Sequence, residues 1–282
     1  MRSAKVVVGL ALVLAIVGPW LAPYDPNASD LARSFGSPSP DHLLGLDSQG
    51  RDILSRLLTG ARSSLLGPLA VVAVSMLVGV LVALVAAWAG GWFDALVSST
   101  LEIMFAFPGL LLAMLVTAVF GPGLWTAALA LSVAYVPYTA RVMRSVAITE
   151  RGKAYVKALE IQGFRATTIC RRHLVPNLSP LIAAQATLFF GYAMVDLAIL
   201  SFFGLGVQFP NADWGVMVGT GQSGVLQGHP AEALSAGACV VLLVIAVNVL
   251  GERLAGVDAA RLRPRRVPRR LRSRQMVPGG AA

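Results

Sequence analysis

The stretch LLGPLAVVAVSMLVGVLVALVAAWA, residues 65–89, contains no charged side chain and is long enough to cross a lipid bilayer. A membrane-spanning helix needs about 20 apolar residues, because each residue advances about 1.5 Å through a hydrocarbon core about 30 Å thick. The whole chain has the same character: 56% of its 282 residues are hydrophobic and 13% are charged, with a mean hydropathy of +0.71. A soluble domain carries about 25% charged residues. The composition therefore predicts a membrane protein.

Six stretches of the chain are long and apolar enough to be predicted spans. They cover residues 6–22, 65–89, 98–120, 124–140, 180–203 and 233–251. For the first stretch an alternative stands, since Arg2 and Lys5 before an apolar run are also typical of a signal peptide, although residues 19–22 lack a clean small-residue cleavage site. We predict an all-α polytopic membrane protein with six transmembrane helices.

The basic residues orient these spans. Of the 23 in the chain, two precede the first span, four lie between the first and second, eight lie between the fourth and fifth, and nine follow the sixth. Because Lys and Arg accumulate on cytoplasmic loops, this distribution predicts that both termini are cytoplasmic. The net charge of +9 is then explained by basic residues on cytoplasmic segments, with the tail drawn to membrane lipid, and no nucleic-acid partner is expected.

This topology divides the chain into three parts. Residues 1–64 hold the first transmembrane helix and an extracytoplasmic segment, residues 65–258 form a five-helix core, and residues 259–282 form a basic cytoplasmic tail that is not expected to fold. The core contains a cytoplasmic loop at 141–177 and an extracytoplasmic loop at 204–232. Before the core, Ile53 and Leu57 predict a short amphipathic helix with Ser55 and Arg56 on its polar face. This helix either covers the outer end of the bundle or meets an external partner.

Two ionisable side chains fall inside predicted spans, where charges are costly and mark functional candidates. Glu102 lies one turn into the third span, near the expected cytoplasmic interface. Asp196 lies deeper in the fifth span, and we expect it either to line a hydrated pathway or to bond a Ser or Thr of a neighbouring helix. Pro108 and Pro137 also lie inside spans, where each is expected to bend its helix.

The chain lacks the residue groups that catalysis, metal binding or ATP binding needs. Its three histidines fall in three separate loops and its two cysteines in different environments, so we predict no catalytic site, no metal site and no disulfide. The only Gly-Lys pair, at residues 152–153, lacks the other residues of a phosphate-binding loop. An ion-coupled secondary transporter would show inverted repeats and several intramembrane charges, and the sequence has no clear repeat.

The basic segment at residues 141–177 carries a pattern of its own. Tyr155, Val156 and Leu159 predict a short amphipathic helix. Gly163 interrupts it, and residues 164–174 are predicted as a second helical stretch that ends before Val175-Pro176-Asn177. A unit of this kind is expected either to dock a partner protein or to lie on anionic lipid.

The run YVKALEIQG at residues 155–163, followed by RHLVPN at 172–177, resembles the coupling motif of permease subunits in binding-protein-dependent ABC importers. In that motif a glutamate, two alanines and a glycine precede a hydrophobic pair and a proline at a fixed spacing. This chain keeps the spacing from Gly163 to Pro176, with Lys157 in place of the glutamate and Leu159 in place of the second alanine. A basic residue at the first position is familiar in the peptide-importer branch of the family, so Lys157 narrows the resemblance to that branch.

Other stretches resemble the dipeptide and oligopeptide permeases of the C-subunit type, in the same order along the chain. They are HLLGLD at 42–47, GRDILSR at 50–56, AFP at 106–108, LSFFGLG at 200–206, Trp214-Gly215 and NVLGERL at 248–254. Leu197 stands where an acidic residue is usual before the Leu-Ser-Phe run, with Asp196 beside it. The series extends over roughly residues 42–262.

The resemblance implies a type I ABC importer permease fold with cytoplasmic coupling helices, in the cytoplasmic (inner) membrane of a bacterium. It implies as partners a second homologous permease subunit, two ATP-binding subunits or one fused subunit, and an extracytoplasmic substrate-binding protein. ATP and Mg would be bound by the ATP-binding subunits, and this chain would bind no cofactor. The implied cargo is peptide, with nickel or haem as alternatives within the family and an ion-coupled secondary transporter as an alternative outside it.

The resemblance, together with the ionisable residues inside the spans, gives candidate residues for two roles. Those expected to couple to the ATPase are Tyr155, Val156, Lys157, Ala158, Leu159, Gly163, His173 and Pro176. The fifth span is expected to form a wall of the pathway, and the candidates for lining that pathway are Glu102, Asp196, Ser201 and Phe202. Gly163 is expected to permit a tight turn that any side chain would obstruct.

Overall fold

The computed structural model describes the backbone of residues 2–261 and the side chains of residues 6–252. Regular structure in that part is helical, apart from an isolated β-bridge between Leu46 and Asp52, so the all-α prediction is confirmed. The helices are α1 Arg2–Leu21, α2 Ile53–Ala89, α3 Gly91–Ala106, α4 Gly109–Phe120, α5 Leu124–Arg151, α6 Ala154–Ile161, α7 Ala166–Ile169, α8 Val175–Phe202, α9 Trp214–Leu226 and α10 Ala231–Arg261, with a 3₁₀ turn at Leu31–Arg33 and a π-helical turn at Cys170–Leu174. Beyond position 261, the predicted tail at 259–282 lies outside the described residues.

Several helices are suited to crossing a membrane. Three of the described helical stretches are long and apolar enough by themselves, namely Ile53–Ala89, Ala166–Phe202 and Ala231–Glu252, and the pair α3–α4 makes a fourth if it counts as one span. The apolar part of α1, Val6–Leu21, is shorter. α5 carries three arginines along its second half, which lowers its hydropathy. The chain is therefore a multi-pass membrane protein, and the count of six spans stays a prediction.

α2 begins at Ile53, twelve residues before the predicted start of the second span. Asp52 caps it by accepting a hydrogen bond from the Ser55 N–H at 2.8 Å. The predicted short amphipathic helix is therefore the first part of α2. Its apolar residues Ile53 and Leu57 are buried in the chain's own core, which agrees with the reading that this helix covers the bundle.

The polar face predicted for this part of α2 was wrong, because Ser55 and Arg56 are fully buried. Arg56 donates through Nη1 to the carbonyls of Pro26 and Pro210 at 3.0 and 3.2 Å. Two loops therefore fold over the start of α2 and cover the side that the amphipathic pattern assigned to solvent.

The predicted third span, residues 98–120, is two helices. α3 and α4 meet at an angle of 79° around Phe107-Pro108. Phe107 has extended backbone angles, φ −90° and ψ 127°, since the ring of Pro108 disfavours a helical conformation in the residue before it. Pro108 therefore ends one helix and starts another, whereas Pro137 lies inside the continuous α5.

The segment at 141–177 differs from its prediction at both ends. α5 continues to Arg151, eleven residues past the predicted end of the fourth span. α6 matches the predicted amphipathic helix, and Gly163 follows it with a positive φ of 81°. The second helical stretch does not end at Val175-Pro176-Asn177 as predicted. α8 begins at Val175 and continues through Pro176, because a proline is tolerated in the first turn of a helix, where its missing N–H would have no helical acceptor.

α9 was not predicted and lies within the expected loop at 204–232. Its glycine-rich sequence gives little helical signal, but the glycines let it pack closely on its neighbours. A Cβ at Gly215 would lie 2.6 Å from the Ala198 carbonyl of α8, and one at Gly221 would lie 2.7 Å from the Ala233 nitrogen of α10. Tertiary contact therefore fixes α9 where local propensity does not.

Three apolar clusters hold the helices together. The first joins α2, α4, α5 and α8. The second joins α1, the first half of α2, α9 and α10, with one residue of α8. The third lies beneath the 141–177 segment and joins the last turns of α2 to α5, α6, α7 and α8 through the buried residues Leu84, Ala87, Ala147, Val156, Ile169, Leu174 and Leu178.

Candidate functional site

α6 presents one buried side and one exposed side. Val156 is fully buried in the third cluster, and Leu159 packs against that cluster. Lys157 and Ala158 are exposed on the other side. At the end of the helix the Ile161 side chain is 87% exposed, although it is large and apolar. The short helix is thus fixed to the chain along one side and offers the other for contact.

The turn after α6 has the hydrogen bonds of a Schellman motif. The Gly163 N–H donates to the Glu160 carbonyl at 3.0 Å, and the Phe164 N–H donates to the Leu159 carbonyl at 3.1 Å. This motif requires a left-handed residue at Gly163, whose φ is 81°. A Cβ there would meet no atom of the described chain within 4 Å. The need for glycine within this chain is therefore conformational, and a side chain would obstruct only a partner.

Of the eight predicted coupling residues, four are exposed, and the other four are buried or half-buried. Val156 is buried, and Tyr155, Leu159 and His173 are half-buried. The exposed members are Lys157, Ala158, Gly163 and Pro176. Sequence reasoning missed Ile161 and Phe164, which flank Gly163 and complete an exposed apolar tip. Two large apolar residues around a helix-ending glycine were the available signal.

Sequence reasoning also missed Glu150, a buried carboxylate near the end of α5 that ties three helices together. Its Oε1 accepts from the Tyr155 hydroxyl of α6 at 2.8 Å and from Asn177 Nδ2 of α8 at 3.3 Å. Its Oε2 lies 2.5 Å from Lys153 Nζ, and Asn177 also donates to the Tyr155 hydroxyl at 3.0 Å. We call Glu150, Lys153, Tyr155 and Asn177 the Glu150 network.

The electrostatics of the Glu150 network favour an ionised carboxylate. Burial opposes ionisation of Glu150, but the hydrogen bonds from Lys153, Tyr155 and Asn177 outweigh it, so the pKa of Glu150 lies below its ordinary value. Burial and the hydrogen bond to Glu150 raise the pKa of Tyr155, so its hydroxyl keeps its proton and remains a donor. The network thus holds α6 against α5 and α8 at neutral pH.

Arg151 joins the same region to α2. It donates through Nη1 to the carbonyls of Ala87 and Trp88 at 2.7 Å each, which satisfies acceptors at the end of α2. Its guanidinium lies 4.7 Å from the centroid of the Trp88 ring, and its Nε lies 3.8 Å from Glu160 Oε1 of α6. α2, α5 and α6 therefore meet at one side chain.

A second feature is a cavity of about 390 Å³ between the start of α4, the middle of α5 and the middle of α8. Its lining residues are Gly109, Leu110, Ala134, Tyr135, Tyr138, Phe189, Tyr192 and Asp196. The Asp196 Oδ2 accepts a hydrogen bond from the Tyr135 hydroxyl at 2.8 Å. Asp196 therefore both lines a cavity and bonds a neighbouring helix, with a tyrosine where a Ser or Thr was expected.

The other predicted pathway residues do not meet Asp196. Glu102 has an exposed side chain 3.9 Å from Arg141 Nη2. Ser201 is buried, and its Oγ accepts from the Val207 N–H at 3.1 Å, so it holds the loop that follows α8. Phe202 is exposed and packs edge-on against Phe203. Of the four candidates, only Asp196 lines the cavity.

The segment before α2 contains a buried ionic cluster. Arg51 Nε lies 2.7 Å from Asp47 Oδ2, and Arg56 Nε lies 3.6 Å from the same oxygen. All three side chains are at least 99% buried. His42 Nδ1 lies 3.0 Å from Asp52, the cap of α2. The runs at 42–47 and 50–56 thus supply a compact polar core over the start of α2.

Asp213 fixes α9 to α2. It caps α9 by accepting from the Gly215 N–H at 2.9 Å, and its Oδ2 accepts from Ser64 Oγ at 2.7 Å. Burial raises its pKa, and the hydrogen bonds from Ser64, Ser63 and the backbone oppose that rise. Trp214 donates through Nε1 to the Leu57 carbonyl at 3.0 Å. The Trp214-Gly215 pair is therefore a packing element in this fold.

Residues 49–264 match the family described as the inner membrane component of binding-protein-dependent transport systems. The match extends from just before α2 to beyond the end of α10, so it includes the α6 surface, the Glu150 network and the Asp196 cavity. The chain belongs to this family.

Three relatives of this inner membrane component illustrate its branch. This chain is 36% identical over 250 residues to a probable D,D-dipeptide transport system permease protein of Escherichia coli (strain K12), and the match covers 89% of this chain and 84% of the relative. It is 34% identical over 258 residues to a dipeptide transport system permease protein of Alkalihalophilus pseudofirmus, covering 90% and 84%. It is 34% identical over 253 residues to a glutathione transport system permease protein of Pectobacterium atrosepticum, covering 89% and 84%.

Family membership makes this chain a membrane permease subunit of an ABC importer. The three relatives' names refer to dipeptides or glutathione, and none refers to nickel, haem or ion coupling. Within the described residues, no group of three or more His, Cys, Asp or Glu side chains is placed to hold a metal ion, and Cys170 and Cys239 are both free thiols.

Proposed function

We propose that this chain is one of two membrane subunits through which an ATP-driven importer moves peptides into a bacterial cell. The observation that carries the proposal is the similarity to peptide permeases over about nine-tenths of the chain. The second membrane subunit is a homologue, ATP and Mg are bound by two ATP-binding subunits or one fused subunit, and an extracytoplasmic binding protein delivers the peptide. The chain also contacts membrane lipid, and it has no nucleic-acid partner.

The ATP-binding subunit docks on the exposed side of α6. The apolar tip of Ile161 and Phe164, beside Gly163, supports this assignment, because large apolar side chains exposed together mark protein contact sites. Lys157 adds a charge beside the tip. The Glu150 network and Arg151 join this surface to α2, α5 and α8, so a displacement of α6 is passed to the spanning helices.

The chain crosses the membrane six times with both ends in the cytoplasm. α1, α2, the α3–α4 pair, α5, α8 and α10 are the six spans, and α9 lies on the extracytoplasmic side. The distribution of basic residues supports this orientation, since it puts residues 141–177 and the tail inside. The Asp196 cavity then lies at membrane depth on the wall of the pathway, where alternating rigid-body motion of two permease subunits would open it to each side in turn.

Reconstitution of the chain with its three kinds of partner protein tests the proposal. We expect proteoliposomes that hold the complete complex to take up labelled alanyl-alanine only with ATP and the binding protein. Uptake that persists without the ATP-binding subunits would refute an ABC importer. Failure with a panel of dipeptides and tripeptides, in a complex whose ATPase still responds to the binding protein, would refute peptide as the cargo.

An Ile161→Arg variant tests the docking surface. We expect it to reduce uptake strongly while the permease pair still inserts, because a charge replaces the apolar tip. Retention of the ATP-binding subunits during purification is measured beside uptake, and Leu31→Arg is the matched control for it, since Leu31 is also exposed and apolar but lies in the extracytoplasmic segment before α2. Coupled uptake at the normal rate in the Ile161→Arg complex would contradict the assignment.

A further inference from the structure

The Asp196 cavity combines one carboxylate with four aromatic rings. Tyr135, Tyr138 and Phe189 lie with ring centroids 5.4 to 6.4 Å apart, and Tyr192 adds a fourth ring from the same face of α8. Tyr135 and Phe189 are buried in the first apolar cluster, so the inner wall is fixed by packing. The Tyr192 side chain is 61% exposed, which leaves the cavity open on one side.

The carboxylate of Asp196 has no cationic partner among the side chains that the structure describes. Its hydrogen bond comes from the neutral hydroxyl of Tyr135, and the ion pairs found in residues 6–252 do not include it. An ionised carboxylate at membrane depth is costly unless a cation compensates it. The chain thus holds this carboxyl in a fixed place and leaves the compensation of its ionised form to another molecule.

The aromatic rings favour the same kind of occupant. The face of an aromatic ring attracts a cation, and a ring cluster beside a carboxylate suits an ammonium group. The rim of this cluster already binds one cation, because the Arg141 guanidinium lies 5.0 Å from the centroid of Phe105, whose ring is 4.1 Å from that of Tyr138. No Lys, Arg or His is among the lining residues, so an anion would find no cationic partner there.

We propose that this cavity binds the α-ammonium group of a peptide in transit, between the Asp196 carboxylate and the rings of Tyr135, Tyr138 and Tyr192. The inference rests on the proposed import of peptides. A volume of about 390 Å³ lies within the range of small-ligand sites, about 300–1,000 Å³, so the rest of a dipeptide fits beside its ammonium. Tyr135 is a positioning residue for the carboxylate as well as part of the ring wall.

Equilibrium binding to the complete complex without its binding protein tests the site directly. The complex is held in nanodiscs, labelled alanyl-alanine is the probe, and two unlabelled competitors differ at one end. Alanyl-alanine amide keeps the ammonium, and N-acetyl-alanyl-alanine loses it. We expect the amide to compete about as well as the parent peptide and the acetylated peptide to compete at least about tenfold less well, because hydrogen bonds to charged groups are the strong ones.

Variants locate the effect. Asp196→Asn should weaken probe binding at least about tenfold and remove the discrimination between the two competitors. Asp41→Asn makes the same chemical change at an exposed position before α2 and should leave both unchanged. The comparison of competitors needs no variant, so equal competition on the unaltered complex would refute the site even if Asp196→Asn does not assemble.

The outcomes separate this inference from the proposed function. Equal competition by the two peptides, absence of probe binding, or unchanged binding by Asp196→Asn would overturn the ammonium site while ATP-dependent peptide uptake stands. If the cavity is filled by a basic side chain of the second permease subunit, the probe will not bind, which overturns the proposal. If the complete complex takes up no peptide at all, the proposed function fails and this inference fails with it.

Discussion

Replacing Tyr155 by phenylalanine removes one hydroxyl from the Glu150 network and leaves the ring in place. The hydroxyl donates to Glu150 Oε1 at 2.8 Å and accepts from Asn177 Nδ2 at 3.0 Å. α6 is then held by the burial of Val156 and by the pair of Arg151 with Glu160. We expect α6 to open locally more often than in the unaltered chain.

The structure sets the size of the effect. A hydrogen bond to a charged group contributes about 1.5–3 kcal/mol, and one between neutral groups about 1 kcal/mol. Tyr155 is half-buried and water can replace part of what is lost, so we expect a cost of about 1 kcal/mol for local opening. That cost corresponds to a fall of about fivefold in the protection of the α6 amides against hydrogen exchange.

The assay is hydrogen exchange measured on the complete complex in nanodiscs, followed over residues 154–161. Tyr24→Phe is the matched control, because the described contacts of Tyr24 are a ring contact with His42 and a backbone hydrogen bond to Ser55, with none from its hydroxyl. Unchanged protection of α6 in Tyr155→Phe, or an equal fall in Tyr24→Phe, would show that the network does not hold the helix.

Three further predictions concern charge and backbone conformation. Asp47→Asn should lower the free energy of unfolding by about 3–5 kcal/mol, because it removes the carboxylate that pairs with the buried Arg51 and Arg56. Thermal melting should show a change below about 1 kcal/mol for Asp30→Asn, whose pair with Arg33 is exposed, and equal shifts would contradict the argument. Gly163→Ala should cost about 1–2 kcal/mol at the end of α6, since its φ of 81° is left-handed; exchange of the 160–164 amides measures this, and no change there would refute it. The pKa of Glu150 is lowered, so the stabilisation of α6 by its carboxylate is present above the ordinary carboxyl pKa and is lost as the pH falls through the lowered value. Protection of the α6 amides should fall as the pH passes below the ordinary carboxyl pKa, and Glu150→Gln should lack this dependence.

The broad architecture was predictable because the bilayer imposes a simple rule on sequence. Long apolar stretches form helices, and five of the six predicted spans each overlap a single helix, whereas the third is divided between α3 and α4. The boundaries were less predictable. α2 extends back to Ile53, where Arg56 is buried and donates hydrogen bonds to the carbonyls of two distant loops, and hydropathy cannot anticipate those contacts.

Proline gave an ambiguous signal in the sequence. Pro108 separates two helices at 79°, Pro137 lies in an unbroken helix, and Pro176 lies in the first turn of α8. The same residue type therefore has three outcomes, and the packing around it decides between them. The missing prediction of α9 has a similar cause, since its glycines serve close contact with α8 and α10.

The candidate site was predictable at the level of segments. The family motif located α6 and Gly163, but the residues that support them were hidden. Glu150 lies outside the motif, and its importance comes from Asn177, 27 residues away along the chain. In the same way, Asp196 gains its meaning from Tyr135, 61 residues away. Pairings of this kind are set by tertiary structure, and a single sequence does not record them.

α2 has a consequence for regulation because it is one unbroken helix. Its 37 residues extend about 55 Å at about 1.5 Å per residue, from the buried Asp47–Arg51–Arg56 cluster to the carbonyls that Arg151 binds. Thermodynamic linkage between two ligands is reciprocal. If the proposed binding protein seats over the cluster and changes the affinity of the proposed ATP-binding subunit for α6, that subunit must change the affinity of the binding protein by the same factor.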